Sequence, residues 1–515
     1  MTDNQSIKGG VSMNPISSER SSTFYSYRWL ALAVILLPTL LISLNTYMIQ
    51  IALPVIQNDL HISFSHAQLL FSGYSVGLAT ALIIGGKLGD IYGRKKILWI
   101  GVLFFTLTAF LGGVLSSPLL LVGIRFVQGL AAALIQPQVL STIQELFPPR
   151  EKNLAFGLYG AVIGIAFTFG LILGGLLVHW NIFNCGWRTV FFFNVPIGML
   201  VLLLIPCIPE SKNKKSNHID WMGSILLMVS IFLLIYPLSE VQQQGWQTWI
   251  FSCLLLSFVV LILFIYVERF KQKLQQSPLI DLSLFKHRPF VFGICSVLAI
   301  YLSMFAFFFI LSYFLQYGLK YDTGETSLVF LPIGIGFFLT SIISSKIINK
   351  YGFIVLKMGA LCMSMCTFLL VFSLWMKQYN LLRTDAITLL FVYGLGLGLA
   401  TTPLANAILG NIPKIHMGVA AGLFTTFMYL ANSLAVAGVS IVFSYYLGTS
   451  LESASFLNYI HAFTFSLIVI GLFSMIAYMI LSLYHKMILR IKIVYGQEST
   501  DILDKKVQTV HLKKK

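Results

Sequence analysis

The sequence predicts an all-α integral membrane protein, built as two pseudo-symmetric six-helix bundles plus two additional transmembrane helices, about fourteen spans in all. Three observations predict it. The 515 residues are 57% hydrophobic and only 10% charged, which leaves far too little polar surface for a soluble globule of this size. Apolar runs of roughly 20 residues, the length a helix needs to cross hydrocarbon, recur along the whole chain, and they do not alternate as β-barrel strands would. A charged turn after the second run is echoed after the tenth, as a duplicated unit requires.

In order along the chain, a polar tail over 1–26 is too polar and too long before the first span to be a cleavable signal. The first bundle, 27–210, holds spans at 29–50, 67–87, 97–116, 119–143, 155–179 and 190–206. A cytoplasmic linker region, 211–289, contains the two additional spans, 222–238 and 250–267. The second bundle, 290–485, holds 291–316, 328–348, 355–376, 387–409, 419–446 and 462–484, and a basic cytoplasmic tail covers 486–515. Alternate loops carry clusters such as Arg94/Lys95/Lys96 and Lys212/Lys214/Lys215, whereas the others hold only Arg188, Lys320, Lys377 and Arg383. This asymmetry predicts a multi-pass protein of the plasma (inner) membrane with both termini cytoplasmic.

The formal net charge of +16 is spread singly and in small groups at span ends, so it reads as a topology signal with the lipid bilayer as partner and no nucleic acid. The six cysteines form no metal-ligand grouping, and all but Cys185 fall within or at the edge of apolar spans, which argues against a disulfide framework. No phosphate loop or nucleophile–base constellation is present, so the expectation is a chain that is not an enzyme and carries no cofactor and no metal.

The most specific stretch is Gly86-Lys-Leu-Gly-Asp-Ile-Tyr-Gly-Arg-Lys-Lys-Ile-Leu98, a charged turn between two charge-free runs. Asp90, Arg94, Lys95 and Lys96 mark a membrane surface there. Ser345-Lys-Ile-Ile-Asn-Lys-Tyr-Gly352 repeats its spacing, with Asn349 in the place of Asp90 and Gly352 in that of Gly93. Arg125 lies about six residues, roughly 9 Å, inside the fourth span, where a cation is tolerated when it faces a polar cavity or partner.

These stretches, together with Asn45-Thr-Tyr-Met-Ile-Gln-Ile-Ala-Leu-Pro54, Arg125-Phe-Val-Gln-Gly-Leu-Ala-Ala-Ala133, Gly186-Trp-Arg-Thr-Val-Phe-Phe-Phe-Asn-Val-Pro196 and Pro278-Leu-Ile-Asp-Leu-Ser-Leu-Phe285, resemble the fourteen-helix drug:proton antiporter branch of the major facilitator superfamily. The resemblance implies a secondary active transporter that exports multiple drugs or amphiphilic organic solutes, linked to protons and working by alternating access between two rocking halves. It implies a gating loop of Gly86, Asp90, Gly93, Arg94 and Lys95, with Asp90 docked near a helix N-terminus, and a transport and coupling group of Arg125, Gln128 and Gly129. A functional monomer is expected, with accessory efflux proteins as an open alternative.

The pattern also breaks. Asn45 stands where the first-helix motif has aspartate, Leu171 where the fifth-helix motif has proline, and Met428 where the thirteenth helix commonly has arginine. Every carboxylate falls in a tail, a loop or a span end. The usual buried owner of a coupling proton is therefore missing, which leaves a span-end acid such as Glu240 or Asp322, or no coupling. An acid-free cavity containing Arg125 disfavours lipophilic cations and favours anionic, zwitterionic or neutral cargo. Asn45, Gln50, Gln136, Gln138, Tyr313, Gln316, Asn406 and Asn432 are polar groups in apolar spans that must face protein or water, and they are the predicted cavity lining. Import or export of a specific metabolite or siderophore, or a non-transporting membrane sensor, are the alternatives.

Overall fold

A computed structural model describes residues 28–208, 210, 220–274, 278–376, 383–409 and 417–512. Among them are fourteen helices long and apolar enough to cross a membrane. We number them α1 (Arg28–Asp59), α2 (Phe64–Tyr92), α3 (Arg94–Val114), α4 (Pro118–Leu146), α5 (Pro149–Trp180), α6 (Arg188–Cys207), α7 (Trp221–Gln244), α8 (Thr248–Lys273), α9 (Arg288–Gly318), α10 (Thr323–Tyr351), α11 (Phe353–Met376), α12 (Ala386–Leu409), α13 (Met417–Leu447) and α14 (Phe456–Leu512). The predicted tail 1–26 and the last three residues, 513–515, of the predicted tail 486–515 lie outside the described residues. Beyond its apolar span, which ends at Ile488, α14 continues as helix to Leu512.

The helices outrun their apolar runs because polar residues cap them. Ser63 accepts the N–H of His66 at the start of α2, and Asp322 with Glu325 forms a reciprocal capping box at the start of α10. The two echoed turns share one device. Gly93 (φ 104°) ends α2 with its N–H on the Gly89 carbonyl, and Gly352 (φ 58°) ends α10 with its N–H on the Ile348 carbonyl. A side chain strains such backbone, so glycine stands at both places.

The two bundles use the same pairings. α2 packs on α4 as α10 does on α12, α1 on α5 as α9 on α13, and α3 on α4 as α11 on α12. The halves then meet through α5 with α10 and α2 with α13, which are equivalent seams under that repeat. Glycines permit the closest crossings. A Cβ at Gly129 of α4 would collide with the Tyr74 carbonyl of α2, and one at Gly85 of α2 with the Ala133 carbonyl of α4. The additional hairpin sits outside this frame: α7 packs on α2 and α13, along one seam, and α8 packs on α7.

Candidate substrate pathway

One end of the bundle carries the Asp90 turn; at the other end the halves are sealed together. Tyr313 of α9 donates its hydroxyl to Gln57 Oε1 of α1 at 2.8 Å. Gln316 donates to the Ile51 carbonyl at 3.0 Å and Tyr317 to the Pro54 carbonyl at 3.3 Å. Pro54 has no N–H, so the Gln50 carbonyl four residues earlier lacks its helical donor, and the Ser312 hydroxyl reaches it from α9 at 3.4 Å. Across the α5–α10 seam, Ser327 donates to the Leu171 carbonyl and Thr168 to the Gly334 carbonyl. Below these bonds lies an aromatic plug drawn from both halves: Phe167 packs against Phe337 and Phe308, and Phe64 against Tyr313 and Phe309.

The α5–α10 seam opens toward the Asp90 end. Gly164 still meets Phe337, but Gly160 and Gly157, one and two turns further along α5, have nothing within 4 Å of where their side chains would point.

Between plug and opening, five tyrosines from five helices cluster, two of them beside one amide. Gln136 of α4 is within hydrogen-bonding reach of Tyr159 on α5 and Tyr429 on α13. Tyr301 on α9 lies within electrostatic reach of Tyr47 on α1 and of Tyr159, and Tyr429 within that of Tyr47, Tyr74 and Tyr159. Arg125 adjoins this cluster. It is fully buried, with its guanidinium 4.5 Å over the Tyr74 ring, Nε donating to the Leu70 carbonyl at 3.3 Å and Nη1 to Gln128 Oε1 at 2.6 Å. Among the described residues, Arg125 Nη2, Gln128 Nε2 and both side-chain polar atoms of Gln50 and Asn432 are buried without a hydrogen-bond partner. Such atoms cost free energy unless water or cargo meets them.

The predicted residues therefore separate. Arg125, Gln128 and Gln136 stand at the centre, and Gln50 and Asn432 keep free polar atoms in the buried interior. Tyr313 and Gln316 belong to the far-end seal. Gln138 holds α4 to α2 through the Gly85 carbonyl at 2.7 Å, and Gly129 serves the same crossing. Asn45 is buried in the first half facing Asn194 of α6, whose Nδ2 lies 3.4 Å from its Oδ1. Asn406 is exposed near the Asp90 end of α12. Sequence reasoning passed over Tyr47, Tyr74, Tyr159 and Tyr301. A usable signal existed: a phenol in mid-span needs a partner for its hydroxyl, as phenylalanine does not.

At the turn, Gly86 lies against Pro137. Asp90 meets Arg94 at 3.1 Å, and Arg94 meets Glu145 of α4 at 2.5 Å and the Ser141 carbonyl at 3.2 Å. Lys95 donates to the Pro206 carbonyl at 2.6 Å. These contacts stay within the first half. Asp90 thus pairs with its own i+4 arginine, the first residue of α3, while that arginine reaches α4, in a conformation whose α5–α10 seam is parted at this end.

The sequence profile of the Major Facilitator Superfamily matches residues 35–436. The "Probable actinorhodin transporter" of Streptomyces coelicolor is 31% identical over 84% of this chain and 75% of its own length. The tetracenomycin C resistance and export protein of Streptomyces glaucescens is 29% identical over 86% and 80%, and the puromycin resistance protein of Streptomyces alboniger 29% over 84% and 86%. Among solved structures, a bacterial homologue of the human lysosomal transporter Spinster superposes with a TM-score of 0.63 at 14% identity, over 90% of this chain and 98% of that one. The Escherichia coli xylose transporter gives 0.58 at 16% identity, over 88% and 98%. The chain belongs to the Major Facilitator Superfamily and is a fourteen-helix membrane transporter of its drug-efflux branch.

Proposed function

We propose that this transporter exports amphiphilic, predominantly aromatic organic molecules that are neutral or anionic, linked to proton movement, with the Asp90 end in the cytoplasm of the host cell. The observation that carries this reading is the central cluster: tyrosines from both halves, Tyr159 and Tyr429 among them beside Gln136, next to a buried Arg125 whose described partners are a carbonyl, an amide and an aromatic face. Aromatic rings offer stacking surface to flat cargo, and their hydroxyls with the free amide atoms offer adaptable hydrogen bonds. A buried guanidinium favours an anionic or electron-rich group on the cargo and repels a cation. Cargo would enter from the parted end, and rocking would break the α1–α9 seal while closing the α5–α10 seam. The name of one relative, for tetracenomycin C export, supports the outward direction, and that name together with the actinorhodin transporter's supports organic cargo.

The test is efflux in a host stripped of its own pumps, comparing anionic and neutral aromatic antibiotics with lipophilic cationic dyes. Extrusion of the first group, with dye signals at vector level, is expected. Strong dye efflux that Arg125→Ala abolishes would contradict the reading.

A further inference from the structure

The end of the additional hairpin holds a buried polar cluster that the central pathway does not use. Asp220, the N-cap of α7, accepts the Gly223 N–H at 2.7 Å and the Leu279 N–H at 3.2 Å, and its Oδ1 lies 2.5 Å from Lys271 Nζ of α8. Glu268 of α8 is fully buried; its Oε2 accepts the Ile280 N–H at 2.8 Å. Its other oxygen, Oε1, has no donor among the described residues and lies on the same side as Asp220 Oδ2, both close to where a Gly223 side chain would stand. Room for the two acids is made by Gly223, where a Cβ would collide with Glu268 Oε1 and lie 3.0 Å from Asp220 Oδ2. Residues 278–284, part of one of the stretches singled out in the sequence, close over the pair. Leu279, Ile280 and Leu284 are buried, and Asp281 caps the following turn and accepts from Gln272. The Pro278 carbonyl accepts Lys87 Nζ of α2 at 3.0 Å, inside the charged turn itself.

Two carboxyls buried side by side need a proton between them, since two adjacent anions out of water repel strongly. Lys271 neutralises one negative charge, that of Asp220. We propose that Asp220 and Glu268 share a single exchangeable proton, and that its presence keeps the 278–284 strap docked over the ends of α2, α7 and α8. This rests on the proton-linked reading above and supplies a site for it away from mid-membrane. The charged groups facing the pair are Lys271 on α8 and Lys87 on α2; Asp281 of the strap turns its carboxyl to Gln272 and the Ser283 N–H. When the proton leaves to water, the one bonded ammonium, Lys271, no longer balances two anions, and Lys87, already within electrostatic reach of both acids, is drawn from the Pro278 carbonyl toward them. The strap loses its tie to α2, the helix that carries the gating turn.

Infrared spectroscopy of the purified full-length protein in lipid tests this without any cargo, so its outcome is independent of what is exported. At neutral pH the wild type is expected to show the band of a protonated buried carboxyl, lost in alkaline buffer, lost in Glu268→Gln and retained in Glu240→Gln. Amide exchange at Leu279 and Ile280, corrected for intrinsic rate, is expected to be several-fold slower below the titration than above it, and this difference vanishes in Glu268→Gln. A correctly folded wild type without such a band, or a band that Glu268→Gln leaves in place, overturns the shared proton. Exchange that ignores pH while the band titrates overturns the link to the strap.

Discussion

Arg125 sits over Tyr74, guanidinium to ring centroid 4.5 Å, with no carboxylate among its described partners. Its planar fork meets a ring face, a carbonyl and an amide oxygen at once, a combination an ammonium cannot reproduce. Arg125→Lys is therefore expected to cut export of anionic aromatic cargo about tenfold or more, with the protein still inserted, since a charge-assisted hydrogen bond is worth about 1.5–3 kcal/mol. Initial efflux rates at matched expression check this.

The far-end seal predicts a conformational mutant. Tyr313→Phe removes the donor to Gln57 while keeping the ring packed against Phe64. It is expected to shift the balance toward opening at that end by about 1 kcal/mol, roughly fivefold. Distance distributions between spin labels at positions 180 and 324 report the shift.

Two glycines should respond oppositely. Gly129→Val drives a branched side chain into the Tyr74 carbonyl and is expected to destabilise the fold by about 3 kcal/mol or more. Gly160→Ala, with nothing within 4 Å, should stay within about 0.5 kcal/mol. Thermal unfolding midpoints in detergent distinguish them.

Asp220 sets a pH limit distinct from that of the shared proton. Burial alone would raise its carboxyl, but the bonded Lys271 ammonium and the Gly223 N–H hold it below the usual carboxylate range. A depressed folded value contributes stability that is present above the unfolded value, about 3.9, and is lost as pH falls through the folded one. Protection of the α7 and α8 amides in hydrogen exchange is expected to fall in that acid window for the wild type, separately from the alkaline loss at the strap, and to be weakened already at neutral pH in Asp220→Asn.

The number and order of the helices were legible because each apolar run is long and bounded by charge. The ends were not, because caps such as Asp322 with Glu325 extend helix into polar sequence. At the centre, Arg125, Gln128 and Gln136 stood out as polar groups in apolar runs. Tyr313 and Gln316 carry the same signal yet serve the seal, since only tertiary placement tells a donor facing a neighbouring helix from one facing a cavity. Glu268 read as an ordinary span-end acid, because its burial depends on the strap folding back over it.

The seal around Pro54 has an asymmetric heredity. On the α1 side Ile51, Pro54 and Gln50 offer main-chain oxygens, which no replacement of their side chains can delete, whereas the hydroxyls and amide of Ser312, Tyr317 and Gln316 are each one codon from loss. Natural drift should accordingly loosen this closure through α9, and a breeder of hyperactive or leaky variants has most to gain by mutagenising that helix.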